Sequence, residues 1–106
     1  MSKIDWEKIS MGIIVAAGSA KSSAMEALFA AKEGNKDLAK TKMADANKEI
    51  GEASHIHFEV IQEEAKGNQL EFKVLFLHAE DQLLTTQTLI LLVQELIELH
   101  EKIDNK

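Results

Sequence analysis

No proline occurs in this chain of 106 residues, and that absence constrains its fold more than any other feature. Proline breaks helix interiors because it lacks the backbone N–H donor and its ring clashes with the preceding turn. Turn residues interrupt the long amphipathic runs only at Gly34-Asn35 and Gly67-Asn68. The sequence therefore predicts an all-α fold of three long helices, in one domain that spans residues 1–106.

The first two helices have recognisable ends. Helix 1 is predicted over about residues 5–33, with Asp5 as its N-cap and Gly34 as its C-terminal stop. Helix 2 is predicted over about residues 36–66, with Asn35 as its N-cap. Because the connections are short, neighbouring helices are expected to be antiparallel.

Helix 3 is predicted over about residues 70–103 and is apolar around most of its circumference. Residues 70–77 are β-branched and aromatic enough to suggest a strand, but a lone strand would have no partner. Two neighbours cannot cover so broad an apolar surface, so we expect a closed cyclic oligomer with helix 3 innermost. The apolar positions are Leu77, Leu83, Leu84, Leu89, Ile90, Leu91, Leu92, Val93, Leu96 and Ile97.

Charge and composition exclude several classes of function. The chain has 18 acidic and 12 basic residues, a net charge of −6, which argues against binding of nucleic acid. Every basic residue is lysine, so no arginine is present for bidentate phosphate binding. The absence of cysteine excludes disulfides, thiolate metal sites and cysteine nucleophiles. Together with a mixed, charged N-terminal sequence, it predicts a cytoplasmic protein.

Helix 3 carries a narrow stripe of polar side chains. At about 100° per residue, one side of the helix holds His78, Asp81, Gln82 and Thr85. The opposite side resembles a solvent face and holds Glu80, Gln87, Gln94 and Glu98. The stripe should therefore point inward or at a partner. Buried polar groups are costly unless they are paired or used, so this stripe is the candidate site.

His78 and Asp81 each admit two interpretations. His78 is either a core histidine that hydrogen-bonds Asp81 one turn on, or a nucleophile whose neutral imidazole accepts a phosphoryl group. Asp81 either orients His78 or meets its own copies on an oligomer axis, where a cation would bridge the repelling carboxylates. Spacing alone leaves both choices open.

A rival interpretation is a non-enzymatic helical oligomer that binds metal or acts as a scaffold. Its ligands would be His55, His57, His78 and Asp81. Glu52 and His55 have the Glu-x-x-His spacing that di-iron bundles use twice, but the chain contains it only once. His57 is expected either on the surface or near the candidate site from helix 2.

The segment His78-Ala79-Glu80-Asp81-Gln82-Leu83-Leu84-Thr85 follows apolar residues 74–77. Together they resemble the active-site segment of enzyme IIA of the lactose/cellobiose (chitobiose) type. That family belongs to the bacterial phosphoenolpyruvate-dependent sugar phosphotransferase system. Residues 18–22 resemble its small-residue segment and residues 96–102 resemble its C-terminal helix end, so the resemblance extends over nearly the whole chain.

The resemblance implies a three-helix up-down-up antiparallel bundle that assembles as a homotrimer. It implies that His78 is phosphorylated by the histidine-containing phosphocarrier protein and passes the group to a cysteine of enzyme IIB. It also implies that Asp81, one per subunit, holds a divalent ion, Mg²⁺, on the trimer axis.

A chain of this kind is a phosphotransferase component rather than a stand-alone enzyme. It would drive uptake and phosphorylation of a lactose-, cellobiose- or chitobiose-class sugar, and would meet the membrane only indirectly, through enzyme IIC. The supporting residues are expected to be Gln82, Thr85 and Lys21. Many family members have histidine in place of Gln82 and arginine in place of Lys21, so the support for a phosphoryl group differs here. Glu80 is often glutamine in the family, and on the predicted solvent face it is expected to tune partner binding rather than chemistry.

Overall fold

The structure of the protein, a computed structural model, describes residues 4–106 and contains three α-helices in that range. They are α1 (Trp6–Lys32), α2 (Lys36–Ala65) and α3 (Val74–Asp104). The helices lie side by side in an elongated bundle that measures 58 × 20 × 19 Å. The chain is therefore an all-α, three-helix protein.

Polar side chains cap the starts of α1 and α2, and a left-handed glycine lies in the turn between these helices. The Asp5 side chain accepts a hydrogen bond from the Lys8 backbone N–H at 3.1 Å, and Asn35 caps α2 in the same way. Gly34 has φ +81°, a conformation that costs little only without a Cβ. The chain can therefore reverse direction within the three residues between Lys32 and Lys36.

The predicted start of helix 3 is wrong by four residues, because residues 70–73 are not helical and α3 begins at Val74. Lys73 is extended, with φ −129° and ψ 122°, and no side chain caps the helix. Extended backbone covers about 3.3 Å per residue and helix only 1.5 Å. The non-helical stretch that ends in the extended Lys73 lets the chain cross from the end of α2 to the side of α1 on which α3 packs.

Packing is uneven, because α1 contacts both other helices extensively while α2 and α3 contact each other little. Early residues of α1 pack against late residues of α2, as Gly12 does against Ile56, so these helices are antiparallel. Trp6 meets Phe76 at the start of α3, so α1 and α3 are parallel. Within one chain α1 is the central helix of an up-down-up bundle, whereas the prediction that helix 3 is innermost concerned the oligomer.

The core is built largely from alanine, which lets helix backbones approach closely. Two clusters of buried residues extend along α1, one around Ile13 and the other around Ile90. The buried alanines are Ala17, Ala20, Ala24, Ala27, Ala30, Ala31, Ala39, Ala46, Ala53 and Ala79. The small residues in the middle of helix 1 therefore serve close packing of helices.

Length and composition alone would allow α1 to cross a membrane, since its most apolar stretch has a mean hydropathy of 1.2. In the structure this helix packs between α2 and α3, and six of its alanines are buried in the core. That position accounts for its apolar composition.

A carboxylate on α2 joins the middle of α1 to α2. The hydroxyl of Ser23 donates to one oxygen of Glu49 at 2.6 Å, and the hydroxyl of Ser19 donates to the other. These two donors hold the pKa of Glu49 below its ordinary value of 4.5. Because folding lowers this pKa, the ionised carboxylate stabilises the fold above the ordinary pKa. That contribution is lost as the pH falls through the lowered value.

We therefore expect Ser23→Ala to reduce the free energy of unfolding by about 1 kcal/mol at pH 7, because one donor to a charged acceptor is lost. At pH 3 the difference from wild type should shrink, since the carboxylate is then largely protonated in the unfolded chain. Urea titrations at equal protein concentration measure both values. Ser22→Ala, on the exposed side of the same helix, is the matched control. An equal loss at the two pH values would contradict the role of Glu49.

Candidate functional site

His78 lies in the second turn of α3 with its side chain exposed, on the side of the helix that faces away from α1 and α2. Within residues 4–106, neither ring nitrogen has a hydrogen-bond partner. The interpretation of His78 as a core histidine bonded to Asp81 is therefore wrong. The imidazole is instead open to solvent and to another protein.

Asp81 is exposed on the same side of α3, and no side chain in the described part of the chain pairs with it. It does not orient His78 within one subunit. By helical position Asp81 lies between Leu77 and Leu84, both of which are about half exposed. A carboxylate in such apolar surroundings would be costly to bury unpaired.

A row of exposed aliphatic residues extends along this side of α3, and we call it the exposed leucine face. Its members are Leu77, Leu84, Leu91, Leu92, Leu96, Leu99 and Ile103. Asp81 lies within this face and His78 at one edge of it, judged by helical position. Contiguous apolar surface of this kind usually marks an interface.

The predicted supporting residues are brought together only in part. The Thr85 hydroxyl donates to the Asp81 backbone carbonyl at 2.7 Å, so it is engaged by its own helix. Gln82 is half-buried at the edge of the exposed leucine face. Lys21 is exposed and lies beside the core cluster around Ile90. The cluster around Ile13 contains Ala79, next to His78, and at a rise of 1.5 Å per residue Lys21 is roughly 12 Å along the bundle from Ile13. One chain therefore does not bring Lys21 to His78.

The side of α3 that was predicted to face solvent packs partly against α2. Glu80 is half-buried and accepts a hydrogen bond from Nε2 of His57 at 2.6 Å. Gln87 donates to the Ser54 hydroxyl at 3.0 Å. The contact between α2 and α3 is slight, so side chains between these helices remain partly hydrated. Polar residues can therefore face α2 at this position. Sequence reasoning missed the pair of His57 and Glu80, since helical position gives relative angles but not the side on which the neighbour lies.

The other histidines do not form a metal centre with His78. His55 is exposed and pairs with Glu59 one turn on, at 3.1 Å. Within residues 4–106, no three histidine, aspartate or glutamate side chains lie close enough together to hold a metal ion. The ligand set of the rival interpretation is thus not assembled within one subunit.

Comparison with known proteins agrees with this geometry. Residues 8–101 match the family model for "PTS system, Lactose/Cellobiose specific IIA subunit". The chain is 42% identical over 99 residues to the lichenan-specific phosphotransferase enzyme IIA component of Bacillus subtilis, covering 93% of this chain and 90% of that protein. It is 33% identical over 102 residues to the lactose-specific EIIA component of Staphylococcus epidermidis, covering 96% and 98%.

Solved structures give the same result. The cellobiose-specific enzyme IIA of Bacillus anthracis superposes with a TM-score of 0.92 at 39% identity, covering 99% of this chain and 96% of that one. The IIA(Chitobiose) protein of Escherichia coli, determined in complex with HPr, superposes with a TM-score of 0.84 at 32% identity, covering 96% and 99%. The chain belongs to the lactose/cellobiose-specific IIA family and is an enzyme IIA component of the phosphotransferase system.

Proposed function

We propose that His78 carries the phosphoryl group in this enzyme IIA component. The observation that supports the assignment most is the exposure of its imidazole, with both ring nitrogens free of partners among residues 4–106. His55 and His57 are paired with carboxylates. His100 lies near the end of α3, far from the start of the helix. His78 is thus the histidine best placed to receive a group from another protein.

The reaction consists of two phosphoryl transfers. In the first, the unprotonated nitrogen of His78 attacks the phosphorus of a phosphohistidine on the histidine-containing phosphocarrier protein. A new N–P bond forms as the donor's N–P bond breaks, and the donor imidazole leaves. In the second, a cysteine thiolate of enzyme IIB attacks the same phosphorus and releases His78. Such transfers depend mainly on positioning and charge stabilisation.

The donors to the phosphoryl oxygens come largely from outside the single chain. The Thr85 hydroxyl is engaged by the Asp81 carbonyl, Gln82 is half-buried, and Lys21 lies too far along the bundle. Ser19 and Ser23 are engaged by Glu49. A docked partner or a neighbouring subunit therefore completes the site, and any contribution of Lys21 or Gln82 is made in the assembled protein.

The sugar is of the lactose, cellobiose or chitobiose class. The relatives named above are IIA components of systems specific for lichenan, cellobiose, chitobiose and lactose. The sugar itself is bound by the membrane-embedded enzyme IIC and not by this subunit. We place the protein in the cytoplasm, as one enzyme IIA domain over residues 1–106 that meets the membrane only through its partners.

The subunit assembles as a homotrimer through the exposed leucine face. Leu91 is 70% exposed and Leu92 is 60% exposed in the single chain, so that this surface is left for other copies to cover. A closed ring of three copies would bring the three α3 helices to the axis. Helix 3 would then be innermost in the assembly, although α1 is central in each subunit.

Asp81 holds a divalent cation on the axis of this trimer. Its carboxylate lies within the exposed leucine face and has no partner in the described part of the chain. Three converging carboxylates would repel one another, and a hard cation such as Mg²⁺ prefers carboxylate oxygens and water. The donor chemistry fits such an ion, whose function would be assembly rather than transfer.

The assignment of His78 is tested by incubating the protein with phosphoenolpyruvate and the general phosphotransferase proteins. We expect acid-labile, base-stable phosphate on wild type and none on His78→Ala, because the nucleophile is then absent. His55→Ala, which removes another exposed histidine, is the control and should be labelled fully. Full labelling of His78→Ala would exclude the proposal.

The trimer and its ion are tested by light scattering and metal analysis. We expect wild type to be a trimer that a chelator weakens, because the carboxylates then repel. Asp81→Asn should bind no metal and should be insensitive to the chelator, whereas His78→Ala should keep its metal. Leu91→Glu should give monomers. A wild-type monomer at micromolar concentration, or metal retained by Asp81→Asn, would contradict this assembly.

A further inference from the structure

We propose that His57 and Glu80 form a positioning pair, which fixes the rotation of the first turns of α3 and hence the direction in which His78 faces. The inference rests on the proposed function of His78. The Nε2 atom of His57 and a carboxylate oxygen of Glu80 are 2.6 Å apart. Because an ionised carboxylate only accepts, Nε2 is the donor.

The pair belongs to a cluster in which all three helices meet. The His57 ring stacks on Phe76, with ring centroids 5.9 Å apart and an interplanar angle of 12°. Trp6 of α1 packs edge to face against the same Phe76 ring, with ring centroids 5.3 Å apart. His57 and Glu80 expose only 21% and 26% of their side chains. Residues of α1 and α2 thereby contact the same side of α3.

The start of α3 has few other restraints. Unlike α1 and α2, it has no side-chain cap, and the extended Lys73 precedes it. Contact between α2 and α3 is slight along the whole bundle. A short polar contact therefore contributes more to the orientation of α3 here than it would in a densely packed interface.

The pair controls His78 through the rigid geometry of the helix. Phe76 and Glu80 are separated by four residues and share one face, whereas His78 is two residues from each, about 200° around the axis. A rotation of α3 about its axis that moves Glu80 away from His57 also rotates His78 by the same angle. Misplacing a reacting group by about 1 Å can slow a reaction up to about a hundredfold.

The test compares transfer from the phosphorylated histidine-containing phosphocarrier protein to full-length variants. We expect His57→Ala and Glu80→Ala each to lower kcat about tenfold, with KM for the donor protein within about twofold of wild type. The double variant should be no slower than either single one, because both remove the same contact. Glu80→Gln should be close to wild type, since its amide oxygen still accepts from Nε2 of His57.

If His57 and Glu80 acted only through their charge, their variants would give a different pattern of transfer rates. Loss of His57 would leave an unpaired carboxylate near the transferred phosphoryl group, whereas Glu80→Ala would remove negative charge, so the two variants would change the rate in opposite directions. The matched control is Gln87→Ala, which removes the contact between α3 and Ser54 further along the same two helices. It should leave kcat unchanged.

Circular dichroism at the assay temperature ensures that folded proteins are compared. If an alanine variant is not fully helical, His57→Phe replaces it, since that change keeps a ring against Phe76 and removes the donor; the same loss in kcat is expected. Unchanged kcat in the His57 and Glu80 variants, a loss confined to KM, or an equal loss in Gln87→Ala would overturn the positioning pair. Labelling that persists in His78→Ala would overturn the proposed function as well, so the two failures are distinguishable.

Discussion

Close contact between α1 and its two neighbours is the constraint on which the rest of the structure depends. Ala17, Ala20 and Ala24 are fully buried, and their small side chains let the helix backbones approach closely. Because α1 lies between the other helices, α2 and α3 contact each other only slightly. Each outer helix thus packs one side against α1 and leaves the opposite side exposed.

For α3, the side left over holds both the proposed phosphoryl acceptor and the proposed trimer interface. Ala79, Leu83 and Ile90 face the core, so the exposed leucine face, with Asp81 within it and His78 at its edge, points outward. Under the proposed function His78 would meet two different proteins, so it has to lie beside an interface rather than inside it. The edge of the exposed leucine face satisfies that requirement, because trimer formation would cover the leucines and leave the edge accessible.

Local signals in the sequence were sufficient for some features and insufficient for others. Caps and left-handed glycines are local, so Asp5 and Gly34 could be assigned from sequence alone. The start of α3 could not, because it is determined by the crossing from α2 to α1, which is a tertiary requirement. Helical position correctly separated His78 from Glu80. It wrongly placed Glu80 on the solvent face and left open whether His78 points inward or at a partner, since only the structure shows where α2 lies.

His78, the proposed phosphoryl acceptor, is exposed, and a side chain without hydrogen-bond partners cannot be held in one direction by such bonds. Within residues 4–106 no hydrogen bond holds its ring, so the direction of the ring depends on the helix that carries it. That helix lacks a cap, so its direction is determined by the buried side of its first turns. Ala79 packs there against the core, but a methyl group permits rotation, whereas the directed bond from His57 to Glu80 opposes it. In the proposed positioning pair, the direction of a side chain on the exposed side of α3 thus depends on a polar contact on the buried side of the same helix.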